Sequence, residues 1–324
     1  MLLIAALVAS GCGSSSDSSS SGGGKIAVVG YSTPQSVYEE GFEASFKETP
    51  DGSGVSFTNS FGSSGDQSRA VAAGQEADVV NFSVGSDMTR LVEEGQVAPN
   101  WEDNKYHGIA NDSVVVLVVR KGNPKGIHSF EDLLSKDVSI ITPNPASSGS
   151  ARWNIMAVYG SQIEQGKSPA QALAAVKTVL SKTEAQPSSG RDAMTAFTQG
   201  QGDVLLSYEN EAINAENAGE EIEYVIPDGT IQIETPIAVT REASPAAQKF
   251  LDYIWSEAGQ KTWAENGYRP VDKALVDPKR FPTPKRLFTI AKFGGWEKVK
   301  EEFFEEGSGS IVKIEEELGV STSG

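Results

Sequence analysis

Three stretches set serine and glycine at what reads as the junction between a strand and a helix. They are Phe61-Gly62-Ser63-Ser64-Gly65-Asp66-Gln67-Ser68-Arg69, Thr142-Pro143-Asn144-Pro145-Ala146-Ser147-Ser148-Gly149-Ser150-Ala151-Arg152-Trp153-Asn154, and Gln186-Pro187-Ser188-Ser189-Gly190-Arg191-Asp192-Ala193-Met194. The chemistry such a junction suits is the holding of an anion. The first N–H groups of a helix have no acceptor within it, and the aligned peptide dipoles leave that end partly positive. In the middle stretch Ser148 can add a hydroxyl, while Gly149, having no Cβ, lets a ligand approach the backbone closely. One such junction is ordinary helix capping. Recurrence at three places points to a binding site.

Catalysis has less to work with. Hydrolysis needs an activated nucleophile with a base in reach, and the chain has two histidines, His107 in a polar loop and His128 ahead of the helix entry Ser129-Phe130-Glu131-Asp132. Both read as surface or capping residues. Glu209 and Glu211 would share a face if they end a strand, but with 44 acidic residues chance pairs are certain. There is no nucleotide-binding glycine signature and no Cys/His cluster suited to zinc. The expectation is a protein that is not an enzyme and needs no cofactor.

The elements that position the three turns alternate in type. Lys25–Tyr31 is a compact apolar strand, and Pro34 opens a helical pattern through Phe46. Val55–Asn59 and Ala77–Phe82 are further strands, the latter followed by a helix from about Ser86. Strands alternating with helices imply parallel pairing with helices on both faces. Val114–Val119 reads as a buried strand carrying the chain from one lobe to the next, and Thr235–Thr240 as the return crossover. Between them come a strand at 138–142, a helix from Gly149, a helix capped by Ser168 with Pro169 at its first position, and the strand Gly202–Glu211. After the return, Ser244-Pro245 starts a helix through Trp255. The expected organisation is an α/β clamshell: lobe 1 from residues 25–112 plus 241–317, lobe 2 from residues 113–240, and a ligand cleft between them at strand carboxyl ends. Tyr31, Trp153 and Tyr208 are candidates to line it, although Trp153 equally fits a helical core position.

Composition bounds the partner. A chain of 324 residues with 38% hydrophobic residues can build real cores, and its net charge of −17 argues against nucleic acid or an anionic bilayer as partner. Any bound anion must therefore be held by local dipoles and donors. Residues 1–11 are uncharged and mostly apolar, too few to span a bilayer, and Ala9-Ser10-Gly11 precedes the sole cysteine, Cys12. That run resembles a bacterial lipoprotein signal, with Cys12 as the lipidated residue and residues 12–24 as a Ser/Gly tether. It lacks a basic n-region and has Ala9 where such signals usually have Leu. With one cysteine no intrachain disulfide can form.

Taken together, Thr142-Pro143-Asn144-Pro145, Ser148-Gly149, Ala151-Arg152-Trp153-Asn154, Gly202-Asp203-Val204-Leu205 with Glu209-Asn210-Glu211-Ala212, Arg120-Lys121-Gly122-Asn123-Pro124 and Phe293-Gly294-Gly295-Trp296 resemble the sulfate/thiosulfate-binding proteins of bacterial ABC importers. The resemblance runs from Lys25 to about Phe304. It implies a type II periplasmic-binding-protein fold outside the cytoplasm, a monomer that closes on a dehydrated inorganic oxyanion and delivers it to an ABC permease. By resemblance the donors are the N–H of Ser32 and the hydroxyl of Ser64 from the first lobe, and Ser148 with the N–H groups of Gly149, Ser150 and Gly190 from the second. The family's indole donor falls on Tyr208, a departure, since a phenol can accept as well as donate. Ser32, Ser150 and Asp192 also differ from the usual residues. Arg69, Arg152 and Arg191 then read as struts behind the turns, because the family neutralises its dianion without a counter-charge.

The departures leave the anion open. Sulfate and thiosulfate are fully ionised near neutral pH and suit a site made only of donors, whereas monohydrogen phosphate carries a proton that needs an acceptor. Asp66 and Asp192, just inside two helix starts, either supply that acceptor or complement the helix dipole. The same fold selecting phosphate or another tetrahedral oxyanion is the nearest alternative, followed by a ligand sensor and, last, a hydrolase.

Overall fold

The computed structural model describes residues 24–322; the lipoprotein-like segment, Cys12 and most of the tether lie outside them. The strands are β1 (Lys25–Tyr31), β2 (Ser56–Gly62), β3 (Val79–Asn81), β4 (Ile109–Arg120), β5 (Ile140–Ile141), β6 (Thr183–Ala185), β7 (Val204–Tyr208), β8 (Ile222–Val225), β9 (Gly229–Val239) and β10 (Arg286–Phe288). The helices are α1 (Glu43–Lys47), α2 (Ser64–Ala72), α3 (Gly85–Glu93), α4 (Phe130–Ser135), α5 (Gly149–Glu164), α6 (Pro169–Ser181), α7 (Gly190–Thr198), α8 (Glu209–Asn217), α9 (Pro245–Trp255), α10 (Glu257–Glu265), α11 (Gly295–Val299) and α12 (Ser310–Glu317).

Hydrogen bonding orders the strands β2-β1-β3-β9-β4-β7-β5-β6, with β10 beside β9 and β8 beside β4. Within each end the pairing is parallel, β1 with β2 and β3, and β5 with β6 and β7. The two parallel ends are joined through β4 and β9, which pair antiparallel over Ser113↔Ile233 and its neighbours. These are the two crossings expected from the sequence. Both run longer than their apolar cores, and residues 110–119 of β4 are all buried, as a strand covered on both faces requires. The result is an α/β fold of two lobes.

One lobe packs β1 and β3 against α9 and α10 through Ile26, Val28, Phe250, Ile254 and Trp263, and against α2 and α3 through Val29, Val80 and Leu91. In the other, Leu117, Ile140 and Leu206 meet Trp153, Met156 and Val179 of α5 and α6. The sequence reading puts residues 241–317 in the first lobe, and the stretch from Arg286 to Glu317 is the last part of it. Its apolar residues Phe288, Trp296, Val299, Phe303 and Ile311 pack into the core around α5. The reason is the character of α5, buried at every position from Gly149 to Gln162. A helix covered all round needs a layer on its outer face, and the later aromatics supply it, with Trp153 edge-on to Trp296 at 4.6 Å and Tyr159 to Phe303 at 4.9 Å.

Ser168 and Ser129 each close a capping box at the start of α6 and α4, and Ser244 caps α9 ahead of Pro245. His128 and His107 are exposed. Two local readings differ. The turn of chain after Pro34 opens into wider π-type turns over Val37–Phe42 before α1, and Glu209 and Glu211 begin α8 instead of ending a strand.

Candidate functional site

Each parallel strand of interest ends at the same place. β1 runs into Ser32 and Thr33, β2 into Ser63 and Ser64 at the start of α2, and β3 into Ser83 ahead of α3. From the other lobe, the turn after β5 brings Ser148, Gly149 and Ser150 at the start of α5, and the turn after β6 brings Ser189 and Gly190 at the start of α7. Together with Tyr31 and Gly62 they line one narrow cleft. Strand carboxyl ends are where ligands settle in open parallel sheets.

Two of the helix starts facing the cleft are conspicuously uncapped. Ser63 and Ser148 occupy the N-cap positions of α2 and α5, yet neither side chain caps its helix, and α5 has no acidic residue in its first turn. The Gly65 N–H of α2 is taken by the carbonyl of Ser147, and the first N–H groups of α5 are left for something else to satisfy. The start of α7 differs, since Ser189 accepts from the N–H of Asp192 at 3.1 Å.

The lobes are in contact across the cleft. The N–H of Gly65 donates to the carbonyl of Ser147 at 2.9 Å, and Arg191 donates through Nη2 to the carbonyl of Thr33 at 2.7 Å. Trp153 donates its indole N–H to the carbonyl of Ser83 at 2.7 Å, and the Ser83 and Tyr208 hydroxyls lie 2.5 Å apart. Two glycines permit this approach. A Cβ on Gly65 would stand 2.8 Å from the Ser147 carbonyl oxygen, and one on Gly149 would stand 2.6 Å from Ser83 Oγ.

Of the residues expected to bind, Ser32, Ser64, Ser148, Gly149, Ser150 and Gly190 all line the cleft. Tyr208 is not among the lining residues and stands behind Ser83. The Ser64 hydroxyl donates to Asp87 Oδ2 at 2.6 Å and accepts the N–H of Ser83 at 2.9 Å. Its proton is thus held by a carboxylate in this geometry, whereas the resemblance directed it at the anion. Arg69 pairs with Asp66 and reaches the carbonyl of Ala146 at 3.5 Å; Arg152 donates through Nε to the carbonyl of Pro145 at 3.0 Å. Asp192 accepts from the hydroxyls of Ser188 and Ser189, both at 2.7 Å. None of these five charged residues, Arg191 included, lines the cleft.

Sequence reasoning missed Ser83, Thr33 and Asp87. Ser83 sits in Asn81-Phe82-Ser83-Val84-Gly85, a fourth strand-to-helix junction whose single serine and shifted glycine gave a weaker signal than the Ser-Ser-Gly runs. Asp87 is fully buried, bonded to Ser64 and 3.3 Å from Arg90. Nothing local marks it among the chain's many acids.

Burial sets the protonation around the site. It pushes the Tyr208 phenol far above its ordinary value, so that group stays protonated. It also raises the carboxyl of Glu211 from 4.5 to about 7, against the opposing pull of Arg191. An acid whose folded value is raised stabilises the fold in its neutral form. That contribution is complete below about 4.5 and is lost as the pH rises through about 7. Glu211→Gln is therefore expected to remove part of the decline in stability between those limits and to make the protein more stable at pH 8, by up to about 3 kcal/mol. Urea unfolding across that range measures it, and a variant whose stability parallels the native curve at every pH would refute it.

Among the described residues that line the cleft, none carries a charged side chain. It is a set of hydroxyls and helix N–H groups, the composition of a neutral oxyanion trap. Residues 26–269 match the model for bacterial extracellular solute-binding proteins. The chain belongs to that family. Among solute-binding proteins it is 38% identical to a sulfate-binding protein of Synechococcus elongatus, over 87% of this chain and 84% of that one. It is 31% identical to a thiosulfate-binding protein of Pseudomonas aeruginosa, over 86% of this chain and 89% of that one. The solved sulfate-binding protein SubI from Mycobacterium tuberculosis superposes with a TM-score of 0.82 at 42% identity, covering 85% of this chain and 98% of that one. No described helix of the chain is long and apolar enough to cross a membrane.

Proposed function

We propose that the protein captures sulfate or thiosulfate outside the membrane and hands it to an ABC permease, without catalysis. The observation that carries this reading is the uncharged cleft wall. Its donors come from helix starts in both lobes, and two of those helices leave their N-cap serines uncommitted. A fully ionised dianion can be satisfied by donors alone, and dipoles already aimed at it replace the water it loses without reorganising. The sulfate- and thiosulfate-binding names of its relatives agree.

Binding works by closure. The donor that follows β1 meets those of α5 and α7 only when the lobes approach, so an anion that touches both sets favours the closed form by its differential affinity. Direct contacts are assigned to the N–H groups of Ser32, Gly149, Ser150 and Gly190 and the hydroxyl of Ser148, with Ser64 holding the wall through Asp87. Arg69 and Arg191 act as inter-lobe ties. The protein works as a monomer, held at the membrane by a lipid on Cys12.

Calorimetric titration of the purified protein, stripped of carried-over anion by partial unfolding and dialysis, tests this against sulfate, thiosulfate and phosphate at neutral pH. Saturable binding of sulfate or thiosulfate is expected, with a melting transition stabilised by about 2.7 kcal/mol at a ligand concentration one hundred times Kd. Silence toward both sulfur anions would end the proposal.

A further inference from the structure

We propose that Ser83 is an anion-facing hydroxyl of this cleft and that Tyr208 sets the direction of its hydrogen bond, so the site can present either a donor or an acceptor to a tetrahedral oxyanion. The inference rests on the oxyanion-binding reading above and deepens it. Ser83 comes from the junction of β3 and α3 in one lobe, Tyr208 from the end of β7 in the other. Their hydroxyls are 2.5 Å apart, with either able to donate, and each residue is 1% exposed.

Ser83 is held at every polar atom. Its N–H donates to Ser64 Oγ at 2.9 Å, its carbonyl accepts the Trp153 indole at 2.7 Å, and its hydroxyl meets Tyr208. The hydroxyl sits over the start of α5, where a Cβ on Gly149 would come within 2.6 Å of it. Ser83 lines the cleft and Tyr208 does not. The atom that meets a ligand on this side of the site is therefore the serine oxygen, with the phenol one step behind it.

Two hydroxyls share two protons, one of which lies in their mutual bond. When Tyr208 donates to Ser83, the serine proton is free for an ionised ligand oxygen. When Ser83 donates to Tyr208, the phenol proton turns away from the pair, and a serine lone pair faces the cleft. Neither arrangement requires ionisation. The first suits sulfate, and the second suits an anion carrying a P–O–H. An indole at the position of Tyr208 could only donate. The pair thus relaxes the exclusion of protonated oxyanions that a donor-only site imposes.

The test is calorimetric titration of the stripped native protein, Ser83→Ala and Tyr208→Phe with sulfate, thiosulfate and inorganic phosphate at pH 8. Native protein is expected to bind sulfate and, more weakly, phosphate. Ser83→Ala should weaken sulfate about tenfold and abolish phosphate binding. Tyr208→Phe deletes one oxygen atom and leaves the serine donor in place. It should hold sulfate within about threefold and weaken phosphate about tenfold or more, because the serine proton then has no acceptor. Circular dichroism melts confirm that each variant is folded. The proposal is overturned if Ser83→Ala leaves sulfate affinity unchanged, if Tyr208→Phe costs sulfate as much as Ser83→Ala does, or if native protein binds sulfate and ignores phosphate. Silence of the native protein toward sulfate, thiosulfate and phosphate alike would instead remove the oxyanion-binding reading itself.

Discussion

Gly149→Ala is expected to leave the protein folded while lowering its anion affinity about a hundredfold. The added Cβ would stand 2.6 Å from Ser83 Oγ, 2.7 Å from Ser83 Cβ and 3.2 Å from the Cγ1 of Val84. None of these is the far end of a flexible chain. Ser83 in particular is pinned through its N–H, carbonyl and hydroxyl. The clashing atoms belong to the opposite lobe, so opening the cleft relieves the strain, and the cost falls on closure and not on folding. Overpacking of this kind costs about 1–3 kcal/mol, whose upper end corresponds to about a hundredfold in affinity. Alanine keeps the backbone N–H and leaves the donor set intact, which isolates the steric effect. Calorimetry with sulfate reads the affinity, and small-angle scattering with and without the anion reads the closure. Native affinity together with native compaction would show that the lobes need not come so close.

The largest effect on stability is expected at Arg269. Its guanidinium grips Glu209 in two hydrogen bonds of 2.6 and 2.9 Å, with Glu209 fully buried and Arg269 8% exposed. It also donates to the carbonyl of Pro282 at 2.9 Å. Burial is the largest influence on Glu209 and raises its carboxyl above the ordinary value in spite of the arginine, so the charge is expensive once unpaired. The backbone of Arg269 exchanges hydrogen bonds with Asp112 of β4 at 2.8 and 2.9 Å. The residue therefore ties the chain after α10 to the strand that crosses between lobes and to the start of α8. Arg269→Met keeps most of the side-chain volume and strands the carboxylate, for a loss of about 3–5 kcal/mol. Adding Glu209→Gln should restore a good part of it, because the penalty lies in the lone charge more than in the lost pair. Urea unfolding of the single and double variants decides the matter. A single variant within about 1 kcal/mol of native would mean that water reaches the site.

The three serine-glycine turns, the two crossings and the helix starts at Ser129, Ser168 and Ser244 were legible because each depends on residues within a few positions. A capping box is closed by a side chain three residues away, and the burial of β4 is written in its unbroken apolar run. Chain order alone also placed those turns at strand ends. The family resemblance then directed attention to Ser32, Ser148, Gly149, Ser150 and Gly190, all of which the fold brings to one cleft.

What required the tertiary structure was the second partner of each contact. Tyr208 and Ser83 are 125 residues apart, and Ser64 and Asp87 are 23 apart. No local pattern says that a phenol will stand behind a serine, or that a serine's proton will be taken by a buried aspartate. The later aromatics likewise carry no mark of the lobe they will cover, since edge-to-face packing on α5 is decided by which apolar surface is left open. Sequence thus determined the helix starts that can hold an anion. The folded chain decided which hydroxyl protons remain free to do so, because a hydroxyl bonds to whichever acceptor the distant chain brings within reach.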